Sequence, residues 1–177
     1  MRLLIITLLI CFASYKTLAD KKYPPILTDT KDNFVNSLNH CIDWIYYDLP
    51  KEQHIPKQLV IAQAALETGW GKSRFANEGN NLFGIRTYDE DGEWLLPIPW
   101  TKWPGWGVKK YNTRCESVMD YVRIINELWA YEELRKVRDN NGDVFEMADE
   151  LNNYAKNPNY TLLVKAIIKH NLGKYDL

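Results

Sequence analysis

Hydrophobic residues follow a helical spacing towards both ends of the chain and form short, interrupted runs in its middle. Residues 29–47 carry apolar side chains three or four positions apart, which predicts an amphipathic helix. In the predicted helix 56–67, Gln63 is the only polar residue between Leu59 and Leu66, and a helix that is apolar all round is typically buried. From 82 to 112, glycines and prolines separate short apolar stretches, which favours strands and turns.

The remaining pattern completes one α+β domain over residues 20–177. The segment 89–92 (Asp-Glu-Asp-Gly) predicts a hairpin turn between two strands, and a third strand is expected near 108–111. Helical spacing returns from about Glu116 to Trp129, and further helices are expected over about 144–154 and 160–170. Because no repeat, low-complexity tract or linker divides the chain, we expect a mainly helical part and a small β part in a single domain.

The first 19 residues have the composition of a secretory signal peptide. Met1-Arg2 is a short basic start, an apolar run follows over 3–13, and Thr-Leu-Ala at 17–19 offers a small-x-small cleavage site. The run is shorter than the ~20 residues that span a bilayer, so an uncleaved anchor is the weaker interpretation. We therefore expect cleavage after Ala19, export to the periplasm or cell envelope, and no stable membrane span.

Charge and cysteine content narrow the functional classes. The chain has 22 basic and 23 acidic residues, and cleavage would remove Arg2 and Lys16, so the mature protein is slightly acidic. A nucleic-acid binder would need a basic surface, and nucleic acid is therefore not an expected partner. Loss of Cys11 would leave Cys41 and Cys115, which could form one disulfide or remain as two buried thiols.

No sequence motif indicates a metal site or a catalytic nucleophile. The three histidines are far apart and lack metal-ligand spacing, so neither a metal nor a cofactor is expected. Neither mature cysteine lies in a nucleophile motif, and no Gly-x-Ser-x-Gly segment is present. Carboxylate and aromatic side chains remain as the candidate functional groups.

Glu67 ends the apolar helix and precedes a Gly69-Trp70-Gly71 segment that predicts a left-handed exit from it. Burial and the negative end of the helix dipole would both raise the pKa of Glu67. A carboxylic acid that stays protonated near neutral pH is what a glycosidase needs to protonate a leaving oxygen. The alternative is a solvated glutamate at a helix end, since most helical carboxylates have no catalytic role.

Four of the seven tryptophans lie within the 13 residues from 94 to 106. Sugar rings lie well on aromatic planes, so an exposed cluster of this kind fits a glycan groove. The alternative is that two or three of these rings simply pack the small β part. Beside Glu67, the cluster favours carbohydrate as the substrate; its members are Trp94, Trp100, Trp103 and Trp106.

Three segments carry a family resemblance: AQAALETGWGKSRF (62–75), GNNLFGI (79–85) and YAKNPNY (154–160). They resemble the signature of the bacterial peptidoglycan β-N-acetylglucosaminidases, glycoside hydrolase family 73, and within it the Bax-type branch. The similarity spans roughly residues 55–172. It implies a lysozyme-like fold in which a mainly helical lobe and a small β-hairpin lobe enclose a glycan groove. It also implies hydrolysis of the β-1,4 bond between N-acetylglucosamine and N-acetylmuramic acid, with peptidoglycan glycan strands as the partner. Separately from the resemblance, we expect a monomer.

The resemblance assigns roles to particular residues. Glu67 becomes the general acid, and Tyr154, the first residue of the third segment, is expected to share in catalysis. The candidate substrate-binding residues line the cleft or shape its floor, and they are Trp70, Asn81, Phe83, Trp94, Trp103 and Tyr160.

The second catalytic group is where the chain departs from the family pattern. Some family members place a glutamate shortly before the strand that returns to the helical lobe, but residues 100–110 contain no acidic side chain. Glu93 is the nearest candidate, with Asp91 and Glu90 behind it, and all three are expected to be solvated turn charges. If none acts, the reaction needs a water held by tyrosine and asparagine, or the 2-acetamido group of the substrate.

Two other functions fit the same residues. A lytic transglycosylase needs a single glutamate on a lysozyme-like fold and would leave a 1,6-anhydro muramyl end. A non-catalytic glycan-binding module would use the tryptophans and leave Glu67 without a role.

Overall fold

The computed structural model describes residues 22–177, so the signal-peptide prediction for residues 1–19 lies outside the described part. Within residues 22–177, the helices are α1 (Lys31–Tyr46), α2 (Lys57–Thr68), α3 (Arg74–Glu78), α4 (Arg114–Glu127), α5 (Glu132–Asp139), α6 (Val144–Asp149) and α7 (Tyr160–Ile167). The strands are β1 (Arg86–Thr87), β2 (Trp94–Leu95) and β3 (Gly107–Lys109). Single 3₁₀ or π turns lie at Lys51–Gln53, Trp129–Tyr131, Glu150–Asn153 and Ile168–Leu172. In this part of the chain no helix combines the length and the apolar character that a membrane crossing requires.

Helix α2 lies at the centre of the helical part, as its apolar sequence predicts. It contacts α1, α6, α7 and the π turn that follows α7, and its residues from Leu59 to Ala65 are all buried. Pro56 caps the helix rather than occupying its first turn. Gly69 ends it with a left-handed φ of 56°, a conformation that glycine adopts without a steric penalty.

Helices α1 and α4 pack together, and a disulfide joins them. Thr30 and Thr113 cap the two helices by accepting a hydrogen bond from a backbone N–H in the first turn. Cys41 and Cys115 lie on the buried faces and form the disulfide, which was one of the two alternatives open from the sequence.

The sheet is antiparallel and has the order β1-β3-β2. Arg86 and Leu95 both pair with Val108, so the two strands that flank 89–92 bond to β3 and not to each other. The prediction that 89–92 closes a simple hairpin is therefore wrong. Val108 is buried and belongs in the middle of the sheet, where β3 bonds to a neighbour on both edges.

The C-terminal helices are shorter than their hydrophobic periodicity indicates. Helix α4 stops at Glu127 rather than continuing to Trp129, and α5 is a separate helix that the sequence pattern did not reveal. Arg135, on α5, donates hydrogen bonds of 2.7 and 2.8 Å to the carbonyl groups of Ile125 and Leu128. This side-chain cap supplies partners for carbonyl groups at the helix end and stabilises the break.

Candidate active site

Glu67 occupies the last turn of α2, where it is partly buried. Burial raises the pKa of its carboxyl group, and a hydrogen bond from Tyr160 opposes that rise by stabilising the carboxylate. Because the effect of burial is the larger, Glu67 retains its proton to higher pH than an ordinary glutamate. The carboxyl group thus has the property required of a general acid.

The chain leaves α2 through three consecutive left-handed residues, Gly69, Trp70 and Gly71. A Cβ atom at Gly71 would lie 2.3 Å from the Cγ2 atom of Thr28, so only glycine fits there. The Trp70 ring packs edge-on against Phe34 at 6.1 Å and borders a cavity of about 620 Å³ that is also lined by lysines. Glu67 is not among the described residues that line this cavity.

A tight loop at 81–84 lies directly beside Glu67. Asn81 is fully buried and builds the loop: Nδ2 donates to the carbonyl groups of Ile85 and Lys109 at 2.9 and 2.8 Å. Its Oδ1 accepts from the backbone N–H groups of Phe83 and Ile85. Gly84 has a φ of +65°, and a Cβ atom there would lie 3.8 Å from Oε2 of Glu67. The loop backbone therefore lies against the Glu67 carboxyl group, and the hydrogen bonds of Asn81 hold the loop in this shape.

Tyr154 and Tyr160 bring the C-terminal part of the chain to the same place. Their rings stack with centroids 5.3 Å apart, and the interaction of the Tyr160 hydroxyl with Glu67 lowers the pKa of that carboxyl group. The Tyr154 hydroxyl donates to the carbonyl oxygen of Phe83 at 2.8 Å, so its proton is committed to the 81–84 loop. The structure thus brings together the predicted residues Glu67, Phe83, Tyr154 and Tyr160.

Two further residues of the site were not expected from sequence. Gln63 donates to the Tyr160 hydroxyl at 3.0 Å and accepts a hydrogen bond from the Tyr121 hydroxyl. Tyr121 in turn stacks on Phe83 with centroids 4.2 Å apart. The signal for Gln63 was its isolation as the one polar residue in the apolar part of α2, whereas Tyr121 looked like an ordinary core position of α4.

The tryptophans of the β part divide into packed and exposed rings. Trp94 and Trp103 contact each other with centroids 4.6 Å apart, and both press on Gly107, where a Cβ atom would lie within 2.9 Å of each ring system. The Trp106 ring lies under the guanidinium group of Arg86 at 4.0 Å. Trp100 is 53% exposed.

Glu93 is a solvent-exposed carboxylate in an ion pair. Its side chain is 78% exposed and pairs with Lys110 at 3.7 Å. It lines a cavity of about 1020 Å³ together with Asp120, and Glu67 is not among the described residues that line it. Burial alone would raise the pKa of Asp120, but hydrogen bonds from Lys109, Tyr111 and Arg123 outweigh burial and lower it. Asp120 is therefore an ionised anchor for β3 and α4.

No group of three or more potential metal ligands occurs within residues 22–177. The hydroxyl and amide groups near Glu67 belong to Gln63, Tyr121 and Tyr160, and they are hydrogen-bonded to one another.

Comparison with known proteins places this geometry in context. A family model for glucosaminidases, described as mannosyl-glycoprotein endo-beta-N-acetylglucosaminidase, matches residues 44–172. The exo-glucosaminidase LytG of Bacillus subtilis is 28% identical over 84% of this chain and 54% of its own length. Protein bax of Escherichia coli is 36% identical over 48% of this chain and 28% of its own. The peptidoglycan hydrolase FlgJ of Vibrio parahaemolyticus is 28% identical over 81% and 48%. The chain thus spans about half or less of the length of these relatives.

Solved structures share the architecture. The catalytic domain of the autolysin Auto from Listeria monocytogenes has a TM-score of 0.60 at 22% identity, over 99% of this chain and all of that one. A mutant of a peptidoglycan hydrolase from Sphingomonas sp. A1 has a TM-score of 0.61 at 23% identity, over 81% and 95%. The predicted lysozyme-like α+β fold, mainly helical with a small antiparallel sheet, is confirmed.

Proposed function

The chain belongs to the glucosaminidase family, glycoside hydrolase family 73, and from that premise we propose that it is an exported peptidoglycan hydrolase. The bond cleaved is the β-1,4 linkage between N-acetylglucosamine and N-acetylmuramic acid, and Glu67 is the general acid. The observation that carries the proposal is the partly buried carboxyl group of Glu67, whose pKa is raised by burial and which lies beside a loop and two tyrosines of the family signature.

The reaction begins with proton transfer from Glu67 to the glycosidic oxygen. The bond from that oxygen to the anomeric carbon of N-acetylglucosamine then breaks, and water adds to the same carbon and gives up a proton that restores the Glu67 carboxyl group. The 81–84 loop fixes one side of the acid, while Trp94 and Trp103 form an aromatic surface for the glycan on the β part. Asn81 and Phe83 act by giving the loop its shape, and Trp70 extends the contact beyond the helix end.

In this proposal, the substrate itself stabilises the positive charge that develops at the anomeric carbon. The loop from 100 to 110 has no acidic residue, and Glu93 is solvated and paired with Lys110. The 2-acetamido oxygen of the substrate is positioned by covalent geometry next to the anomeric carbon, so it can serve where a second carboxylate is missing.

Glu93→Gln is accordingly expected to keep most of the activity. The side chain is an exposed charge in a weak ion pair, and such pairs contribute about 0–1 kcal/mol. Turnover of soluble peptidoglycan fragments should stay within a few-fold of wild type. Loss of turnover with unchanged glycan binding would instead make Glu93 the second catalytic carboxylate.

Tyr154→Phe tests how the third signature segment acts. Its hydroxyl holds the Phe83 carbonyl group, so removing it leaves that carbonyl unpaired and costs about 1 kcal/mol of stability. Turnover should fall by about tenfold at most, because the loop beside Glu67 loses a tether but the acid remains. Kinetics and thermal melts of the same sample separate these effects. A loss of about a hundredfold or more with an unchanged melting temperature would place the hydroxyl in the chemistry itself.

The products of peptidoglycan digestion decide between the candidate activities. Purified mature protein is incubated with peptidoglycan, and the new chain ends are identified by mass spectrometry. Hydrolysis at the proposed bond leaves N-acetylglucosamine at the reducing end. A 1,6-anhydro muramyl end, lighter by one water, would identify a lytic transglycosylase, and binding without new ends would identify a glycan-binding module.

Export is the remaining part of the proposal, and it rests on residues 1–19. The mature protein should begin at Asp20 and should be recovered from the cell envelope or periplasm. An intact mass measurement on that fraction would contradict cleavage if it showed the full chain.

A further inference from the structure

A buried chain of hydrogen bonds leads from α4 through α2 to the carboxyl group of Glu67. The Tyr121 hydroxyl donates to Oε1 of Gln63, and Nε2 of Gln63 donates to the Tyr160 hydroxyl at 3.0 Å. The Tyr160 hydroxyl interacts in turn with the Glu67 carboxyl group and lowers its pKa. Gln63 and Tyr121 are both inaccessible to solvent, so water does not compete for these groups.

Each bond in this chain fixes the direction of the next one. A tyrosine hydroxyl has a single proton, and a glutamine amide has a donor end and an acceptor end that differ. The Tyr121 proton goes to Oε1 of Gln63, which turns the NH₂ group of the amide towards Tyr160. The Tyr160 oxygen thus accepts from Gln63, and its own proton is available for Glu67.

We propose that Gln63 and Tyr121 are positioning residues that make Tyr160 a hydrogen-bond donor to Glu67, so that the acid proton is carried by the other carboxyl oxygen. This role rests on the proposed function of Glu67 as general acid and adds the groups that select the oxygen that delivers the proton. A general acid must hold its proton within hydrogen-bond reach of the leaving oxygen. A carboxyl group free to exchange its proton between both oxygens would spend part of its time in the unproductive form.

The same chain of hydrogen bonds limits how far burial raises the pKa of Glu67. Burial favours the neutral carboxyl group, whereas the bond from Tyr160 favours the carboxylate that forms once the proton has left. Tyr160 therefore stabilises the acid in the charged state that follows proton transfer. Gln63 and Tyr121 preserve this donation without touching the carboxyl group themselves.

The test removes the first and last hydroxyl groups of the chain, singly and together. Tyr121→Phe keeps the ring that stacks on Phe83, and it frees the Gln63 amide to turn its oxygen towards Tyr160. Tyr160 would then donate to Gln63 instead of Glu67. Tyr160→Phe removes the donor directly. The titration midpoint of the Glu67 carboxyl carbon is measured by NMR in protein labelled with ¹³C-glutamate, with Glu67→Gln used to assign the signal.

We expect the midpoint to move to higher pH in both single variants, because Glu67 loses the bond that stabilises its carboxylate. The shift in Tyr121→Phe should not exceed that in Tyr160→Phe. In the double variant the midpoint should equal that of Tyr160→Phe, since Tyr121 acts only through Tyr160. An unchanged midpoint in Tyr121→Phe, or a shift that persists in the Tyr160→Phe background, would overturn the proposal.

Tyr131→Phe is the matched control. Tyr131 is a buried tyrosine of the same aromatic cluster, with its ring centroid 6.3 Å from that of Tyr154, and it is outside the hydrogen-bond chain. Its substitution deletes the same single oxygen and should leave the Glu67 midpoint in place. A shift as large as that of Tyr121→Phe would assign the effect to general loosening of the cluster and would overturn the proposal.

The NMR measurement needs no turnover, so it is independent of the proposed function. In an active hydrolase the basic limb of the plot of kcat/KM against pH should move together with the midpoint, because activity falls as Glu67 loses its proton. A midpoint that moves while the basic limb stays fixed would support the hydrogen-bond chain and contradict Glu67 as the general acid.

Discussion

Glu67→Gln should lower the rate of peptidoglycan hydrolysis by about 10²–10⁴-fold, which is the usual contribution of a general acid. Glutamine retains the shape and an oxygen that can accept from Tyr160, but its amide N–H groups are not acidic and cannot protonate the glycosidic oxygen. Release of reducing ends from purified peptidoglycan measures the loss. The matched control is Glu93→Gln, the same chemical change at an exposed carboxylate. If Glu67→Gln kept more than about a tenth of the activity, another group would have to be the acid.

The difference in stability between Glu67→Gln and the wild type should depend on pH. Burial raises the pKa of Glu67 in the folded protein above its value in the unfolded chain. The folded state therefore binds the proton more tightly, and this stabilisation is complete below the unfolded pKa and is lost as pH rises through the folded one. Glu67→Gln, which cannot ionise, should melt at or above the wild-type temperature at neutral pH. The advantage should shrink as pH falls from the raised pKa of Glu67 in the folded protein to the ordinary pKa of a glutamate, and should not change further below that.

Loss of the Cys41–Cys115 disulfide should have the largest effect on stability. The bond joins residues separated by 74 positions, and closing a loop of that length is worth about 4 kcal/mol in the chain-entropy description. Urea unfolding of the double variant Cys41→Ala/Cys115→Ala measures the cost. Reduction of the wild type should produce a similar loss, because it removes the same cross-link.

Activity gives a separate check on the disulfide. The bond joins α1 to α4, whereas Glu67 stands at the end of α2. The double variant should therefore hydrolyse peptidoglycan at a temperature at which it is still folded. A stability cost below about 1 kcal/mol would mean that the cross-link constrains the unfolded chain far less than its loop length indicates.

Local sequence was sufficient to locate most elements, but not the pairing of the strands. The positions of α1, α2 and the three strands follow from apolar spacing and from glycine and proline punctuation. The order β1-β3-β2 does not, because it depends on Val108 occupying the centre of the sheet, a property of the assembled core. The break after Glu127 likewise depends on Arg135, a residue of the following helix.

The residues of the candidate site likewise include some that local sequence predicts and some that it does not. The character of Glu67 could be predicted because an apolar helix and a terminal carboxylate are adjacent in sequence. Tyr154 and Tyr160 came from resemblance alone, since nothing near them in the sequence points to Glu67. Gln63 and Tyr121 were missed as a pair because they lie 58 positions apart and meet only in the folded core. Their polar groups are recognisable as functional only once both are seen to be buried and bonded to each other.

The sequence distances across the site also have a consequence for the timing of activity. Gln63 and Tyr160 are 97 positions apart, and Phe83 and Tyr154 are 71 apart, so the setting of the acid is closed by contacts that form across most of the domain. Forming such non-local contacts first requires the loss of loop-closure entropy, so these contacts form slowly. A nascent or proteolytically shortened chain that ends before residue 154 therefore carries Glu67 without either tyrosine. On the proposed function, peptidoglycan hydrolysis requires the segment from residue 154 onwards to have folded against Glu67 and the 81–84 loop.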